Sequence, residues 1–118
     1  MENILTKLSA TGANSDLPGF TAENLDAHFG GGGDSDHSDQ YPGFTKEQYA
    51  QRAHDLVRSP VGGNIDGYIA AKGRYKDTIV RFDVNTGDWV RSGKLGIRTM
   101  FKPAEGALYF EKIKGYEV

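Results

Sequence analysis

The sequence has no cysteine. That excludes a disulfide scaffold, a thiolate zinc site, an iron–sulfur cluster and a thiol nucleophile. It is also poor in histidine, with three, in proline, with four, and in tryptophan, with one. No stretch approaches the roughly 18 consecutive apolar residues of a membrane span, so no membrane partner is expected. Met1 is followed by ENILTKLSA and not by a basic start and an apolar run, so no signal peptide is visible. If the chain is exported, something else must carry it.

What is present suits a single small domain: 118 residues, 37% of them apolar and 25% charged. A chain of this size buries between about 60% and 70% of its unfolded surface and needs no staples. The net charge of −2 is unevenly divided, with residues 1–59 at −5 and residues 60–118 at +3. The C-terminal half is the better anion binder, although ordinary uneven surface charge would produce the same numbers.

Thr45 and Gln48 have the spacing of a capping box, and Tyr49, Ala53, Leu56 and Val57 follow at helical intervals, which predicts a helix over 46–58. Ser59-Pro60 and Gly62-Gly63-Asn64 end it. A weaker helix is expected from Thr21 to Phe29, and Ile4, Leu5 and Leu8 suggest a short third piece. LPGFTAE and YPGFTKE are two similar helix starts, too few units for a repeat architecture. Between them GGGGDSDHSDQ, residues 30–40, has no apolar anchor and reads as a flexible loop.

After Ile65 the pattern changes to IDGYIAAK, RYKDTIVRFDV, DWVRS, GIRTMFK and ALYFEKI, short β-type runs separated by turn residues. Val80, Phe82 and Val84 alternate with Arg81 and Asp83, placing apolar and charged sets on opposite faces. Asn85-Thr86-Gly87-Asp88 and Ser92-Gly93-Lys94 read as hairpin turns. The expected domain, residues 1–118, therefore has a weakly ordered or briefly helical segment 1–20, a helical part 21–59 and an antiparallel sheet over 64–118. The fold class is α+β, with N-terminal helices on one face of a four- to five-stranded antiparallel sheet and the other face open to a ligand.

Of the three histidines, His28 closes the first helix, His37 lies in the acidic loop and His54 sits on the long helix. Histidine is the side chain best suited to proton transfer near neutral pH, yet a single one is commonly structural or solvated. His28 and His37 gain interest as a pair, because the chain between them can bring both rings to one site. DSDHSD has oxygen ligands at alternating positions but lacks the glycine and glutamate of a calcium loop, so it fails as that motif and reads as a solvated acidic loop, with no metal expected. No phosphate-binding P-loop, dinucleotide fingerprint or Ser-His-Asp order is present. In KLGIRTMFKP, Arg98 and Thr99 share a face of a strand only if a bulge or strand end intervenes.

Taken in order, LDAHF, a second histidine at Asp36-His37, FTKEQYAQRAHDL, GIRTMFKP and GALYF resemble the C-terminal toxin domains of bacterial polymorphic and contact-dependent growth inhibition toxins. The pattern is similar to the barnase/colicin D/RelE-like ribonuclease class and covers residues 25–112, leaving 1–24 without a counterpart. The resemblance implies a metal-independent, cofactor-free ribonuclease, often directed at tRNA and neutralised in the producing cell by a cognate immunity protein. It implies a domain that is monomeric when free, is exported as the C-terminal part of a larger toxin, and acts in the cytoplasm of a target bacterium.

Carried onto this sequence, His28 and His37 become the proton-transfer residues, Arg98 and Thr99 the holders of the scissile phosphate, and Tyr109 a contribution from the closing strand. Family members often have lysine before the second histidine; here Asp36 stands there, which would favour a protonated His37 but repel phosphate. RNA carries its own 2′-OH nucleophile, so a base, an acid and donors around the phosphorane suffice. Arg81, Lys94 and Lys102 are expected to contact the RNA backbone, and Tyr75, Trp89, Tyr68 and Phe110 are stacking candidates, most of them expected in the core. Two other classes remain open: a non-catalytic binding module on the same scaffold, and an ADP-ribosyltransferase-type toxin using Glu105 or Glu111, for which no Ser-Thr-Ser-type strand is present.

Overall fold

The structure is a computed structural model that describes residues 8–118. Along them run α1 (Ala22–His28), a 3₁₀ turn (Ser38–Gln40), α2 (Lys46–Arg58), β1 (Ile65–Ile69), β2 (Ile79–Asp83), β3 (Trp89–Gly93), β4 (Gly96–Phe101) and α3 (Ala107–Glu117). Both expected helix starts form. The Thr21 side chain accepts from the Asn24 N–H. At α2 the Thr45 hydroxyl accepts from the Gln48 N–H while the Gln48 side chain accepts from the Thr45 N–H. Each such cap is worth about 1 kcal/mol, because it satisfies amide donors that a helix start leaves without partners.

The fold is α+β. Its strands form an antiparallel meander in the order β1-β2-β3-β4. On one sheet face Ile79, Val90, Ile97 and Met100 pack with Tyr49, Ala53, Leu56 and Val57 of α2. On the other, Tyr68, Val80, Phe82 and Trp89 pack with Phe110, and Tyr109 and Ile113 close against them.

The second cluster corrects two expectations. ALYFEKI is not a strand but most of α3, and the sheet face expected to be open is partly covered by it. Phe110, Ile113 and Glu117 recur with helical period, whereas the apolar run ALYF is too short to distinguish a helix from a strand. Gly106, at φ +54°, redirects the chain after Pro103. That is left-handed backbone, which glycine adopts without steric cost.

With both faces covered, all five residues of β2 are buried, Arg81 and Asp83 included, while Val84 falls beyond the strand and is exposed. Arg81 is therefore not an RNA contact. Its guanidinium donates to the carbonyls of Ser59, Ala10, Ser9 and Gly12, tying the N-terminal segment to the end of α2. Burial lowers its pKa to about 10, so it stays cationic at neutral pH. A Cβ on Gly67, its cross-strand partner, would lie 2.5 Å from Nη1, so the close approach of the guanidinium requires glycine there.

Residues 8–20 form no helix, but they are not loose. Asn14 N–H donates to Arg58 O, Val61 N–H donates to Thr11 O, and Leu17 is part of the first core cluster. Of the expected short N-terminal helix, Ile4 and Leu5 lie outside the described residues.

Candidate active site

Beside α3 a strip of sheet with the half-buried Thr99 and Phe101, and the buried Arg91 beneath, floors a cleft of about 380 Å³. His28 and His37, Arg98 and Thr99, and Tyr109, from three stretches of the sequence, all line it, and so does Tyr75.

His28 is buried at the last position of α1, with its Nδ1 2.9 Å from the carbonyl of Asn24 one turn back. A carbonyl only accepts, so Nδ1 carries a hydrogen and Nε2 is the nitrogen left for proton exchange. His37 lies across from it, the ring centroids 5.8 Å apart, and is stacked 5.2 Å from Phe101. The backbone joins the two residues directly, because His37 N–H donates to His28 O at 2.8 Å.

The glycine-rich loop is better held than its composition suggests. The Asp36 carboxylate accepts from the N–H groups of Gly30, Gly32 and Ser38, which holds its pKa well below the usual carboxylate range. A Cβ on Gly31 would come within 2.9 Å of Asp26 O, so the loop closes onto α1 only because that residue is glycine. Gln40 then pairs through its amide with both the N–H and the carbonyl of Lys102, docking the 3₁₀ turn beside the end of β4.

The concern raised by an acid before His37 is thereby altered, since three amides already occupy that carboxylate. Burial, followed by the proximity of His28, lowers the His37 pKa; Asp36 and Asp39 pull it upward but do not prevail. Two rings this close disfavour a double positive charge.

Arg98 and Thr99 share the cleft because β4 contains the bulge they require. Arg91 lies opposite Thr99, while the next residue, Ser92, lies opposite Ile97, so Arg98 is the extra residue. Asn24 fastens this irregularity to α1, donating from its side-chain amide to Ile97 O at 2.8 Å and Arg98 O at 3.0 Å. One asparagine thus fixes His28 through its carbonyl and Arg98 through its amide, a role that sequence reading missed because the pairing spans more than 70 residues.

Arg91 was also missed. It lies two residues after Trp89 on β3 and so faces the same side, but its neighbours come from elsewhere in the chain. Its guanidinium is bonded to both Glu117 carboxylate oxygens and to the Thr78 hydroxyl, and it lies 4.3 Å from the Tyr75 ring centroid. Tyr109 reaches the cleft from α3, not from a closing strand. Burial raises its pKa, keeping the phenol protonated and able to donate. The Trp89 indole N–H is the one buried side-chain polar atom without a partner among the described residues, and Trp89 also lines the cleft.

No protein-family model matches the chain, and no curated protein matches its sequence. The cleft must be read from its own chemistry.

The remaining candidates lie elsewhere. Lys102 is not free for RNA, since its ammonium donates to Asp88 and to Thr86 O. Lys94 is exposed at the β3–β4 turn and lines a neighbouring groove. Tyr68 and Phe110 are core residues. His54 holds Leu17 O at 3.0 Å, a structural bond. Glu105 and Glu111 are exposed and do not line the cleft. Among the described residues no three His, Asp or Glu side chains converge as metal ligands would.

Proposed function

We propose that the cleft is the active site of an endoribonuclease, directed at tRNA, in an interbacterial toxin domain neutralised by an immunity protein. The observation that carries the reading is the pairing of His28 and His37, 5.8 Å apart, in one cleft with Arg98, Thr99 and Tyr109. The sequence resemblance, from which these residues were named, points the same way.

His37, neutral because its pKa is lowered, takes the proton from the 2′-OH. The 2′-oxygen attacks phosphorus, the P–O5′ bond breaks, and protonated His28 gives its proton to the leaving 5′-oxygen. The products are a 2′,3′-cyclic phosphate and a 5′-hydroxyl. Arg98, the Thr99 hydroxyl and the Tyr109 phenol supply donors to the phosphorane oxygens, where charge accumulates in the transition state.

The test is incubation of total bacterial RNA with the purified domain in EDTA, beside His28→Ala and His37→Ala proteins whose folding is verified by circular dichroism. Wild type is expected to release a few discrete tRNA fragments with 5′-hydroxyl ends, and each variant to be slower by about 10²–10⁴-fold. Uniform degradation of all RNA would overturn the tRNA preference. Inactivity of a folded wild-type domain would favour the non-catalytic binding module.

A further inference from the structure

A second and larger groove, of about 770 Å³, lies next to the cleft, between the start of α1, the β1–β2 loop and the β3–β4 turn. Arg98 lines both cavities, so the two are neighbours that meet at this residue. Its size falls within the roughly 300–1,000 Å³ of small-molecule sites.

Several of the chain's cations are already committed. Arg52, Arg91 and Lys102 are paired with buried carboxylates, Lys46 pairs with Asp26, and Arg81 is enclosed by carbonyls. Lys76, Lys94 and Arg98 form no ion pair among the described residues; the same is true of Arg58, Lys72, Arg74, Lys112 and Lys114, but only the first three line the groove. Glu23 and Asp77 share its wall. Cations alone would suit any polyanion. Carboxylates beside them suit a nucleotide, whose phosphate seeks the cations while the amino groups of its base donate to the acids.

We infer that this groove is a second subsite, which holds the nucleotide next to the scissile phosphate in a single-stranded segment of the substrate. The inference rests on the ribonuclease reading of the cleft and adds that the enzyme recognises its substrate beyond the cleaved bond. Arg98 lies at the junction, and Lys76 and Lys94 grip the following phosphate.

The experiment uses two readouts. The first is cleavage of a ribodinucleotide and of tetranucleotides extended on either side, by wild type and by the Lys76→Gln/Lys94→Gln protein. The second is anisotropy binding of the same oligonucleotides made uncleavable by a 2′-deoxy substitution at the scissile position. In wild type, extension on one side should lower KM and Kd by about tenfold, and the double variant should erase most of that gain. The slope of log Kobs against log salt should fall by about 0.7 for each lysine removed. Equal affinity for short and long oligonucleotides, or an unchanged gain in the double variant, would overturn the subsite. Absence of cleavage with the length-dependent binding intact would instead overturn the ribonuclease reading and leave the subsite standing.

Discussion

At His37 four influences compete, and their signs can be tested. Burial and the His28 ring lower its pKa, while Asp36 and Asp39 raise it. Removing the partner charge with His28→Gln should move the His37 pKa upward, which NMR titration of its ring protons would detect. An unchanged or lower value would mean the two rings are not coupled. In the wild-type protein the folded value lies below the unfolded 6.5, so the unfolded chain takes up the proton first. The neutral ring's contribution to stability is therefore lost as pH falls from about 6.5 toward the folded value. The two histidines as acid and base also predict a bell-shaped dependence of kcat/KM on pH, with its acid limb set by His37.

The loop from Gly30 to His37 is gathered by Asp36. Its carboxylate gathers three amide N–H groups, and the following residue is the catalytic candidate. Asp36→Ala should accelerate hydrogen exchange at Gly30, Gly32 and Ser38 and lower kcat by roughly tenfold or more through misplacement of His37. The midpoint of global unfolding should move little, since the loop contributes no apolar core. A large loss of stability with normal exchange in the loop would contradict this. α3 behaves differently: its Glu117 is buried against Arg91 and the Tyr68 hydroxyl. Glu117→Ala should destabilise by about 3–5 kcal/mol in urea titration, because it leaves an uncompensated buried guanidinium.

Across the whole molecule, charge is consumed more than displayed. At the β2–β3 turn, Arg52 joins Asp83 and Asp88, while Lys102 and the Tyr41 hydroxyl complete the set around Asp88. Burial pushes the Asp83 pKa up, but hydrogen bonds from Asn64, Arg52 and the N–H groups of Asn85 and Thr86 outweigh it and hold the pKa at about 2. A carboxylate whose folded pKa is depressed stabilises above its unfolded value and loses that contribution as pH falls through the folded one. Asp83 should accordingly contribute on the order of 2 kcal/mol at neutral pH. Urea titrations should show stability falling between pH 4 and 2, and Asp83→Asn should lower stability at pH 7 and flatten that fall. The same partition explains why the +3 of the second half overstates its grip on an anion. Arg81, Arg91 and Lys102 are committed internally and so add nothing to that grip.

The elements with a strong local signal were legible in the sequence. α2 follows from its capping box and its buried stripe, the four strands from their turns, and the α+β class from the order of elements. Local chemistry decides these because caps, periodicity and turn residues act over a few positions. The sequence also stated the condition for Arg98 and Thr99 to act together, a bulge, without showing that one forms. What it left open depends on distant partners. Only the tertiary structure decided that ALYFEKI is a helix over the second sheet face, that Arg81 and Lys102 are occupied, and that Asp36 serves the loop. Asn24 and Arg91 enter the site the same way, since a side chain's role there is set by which carbonyl or carboxylate the fold brings within hydrogen-bond reach.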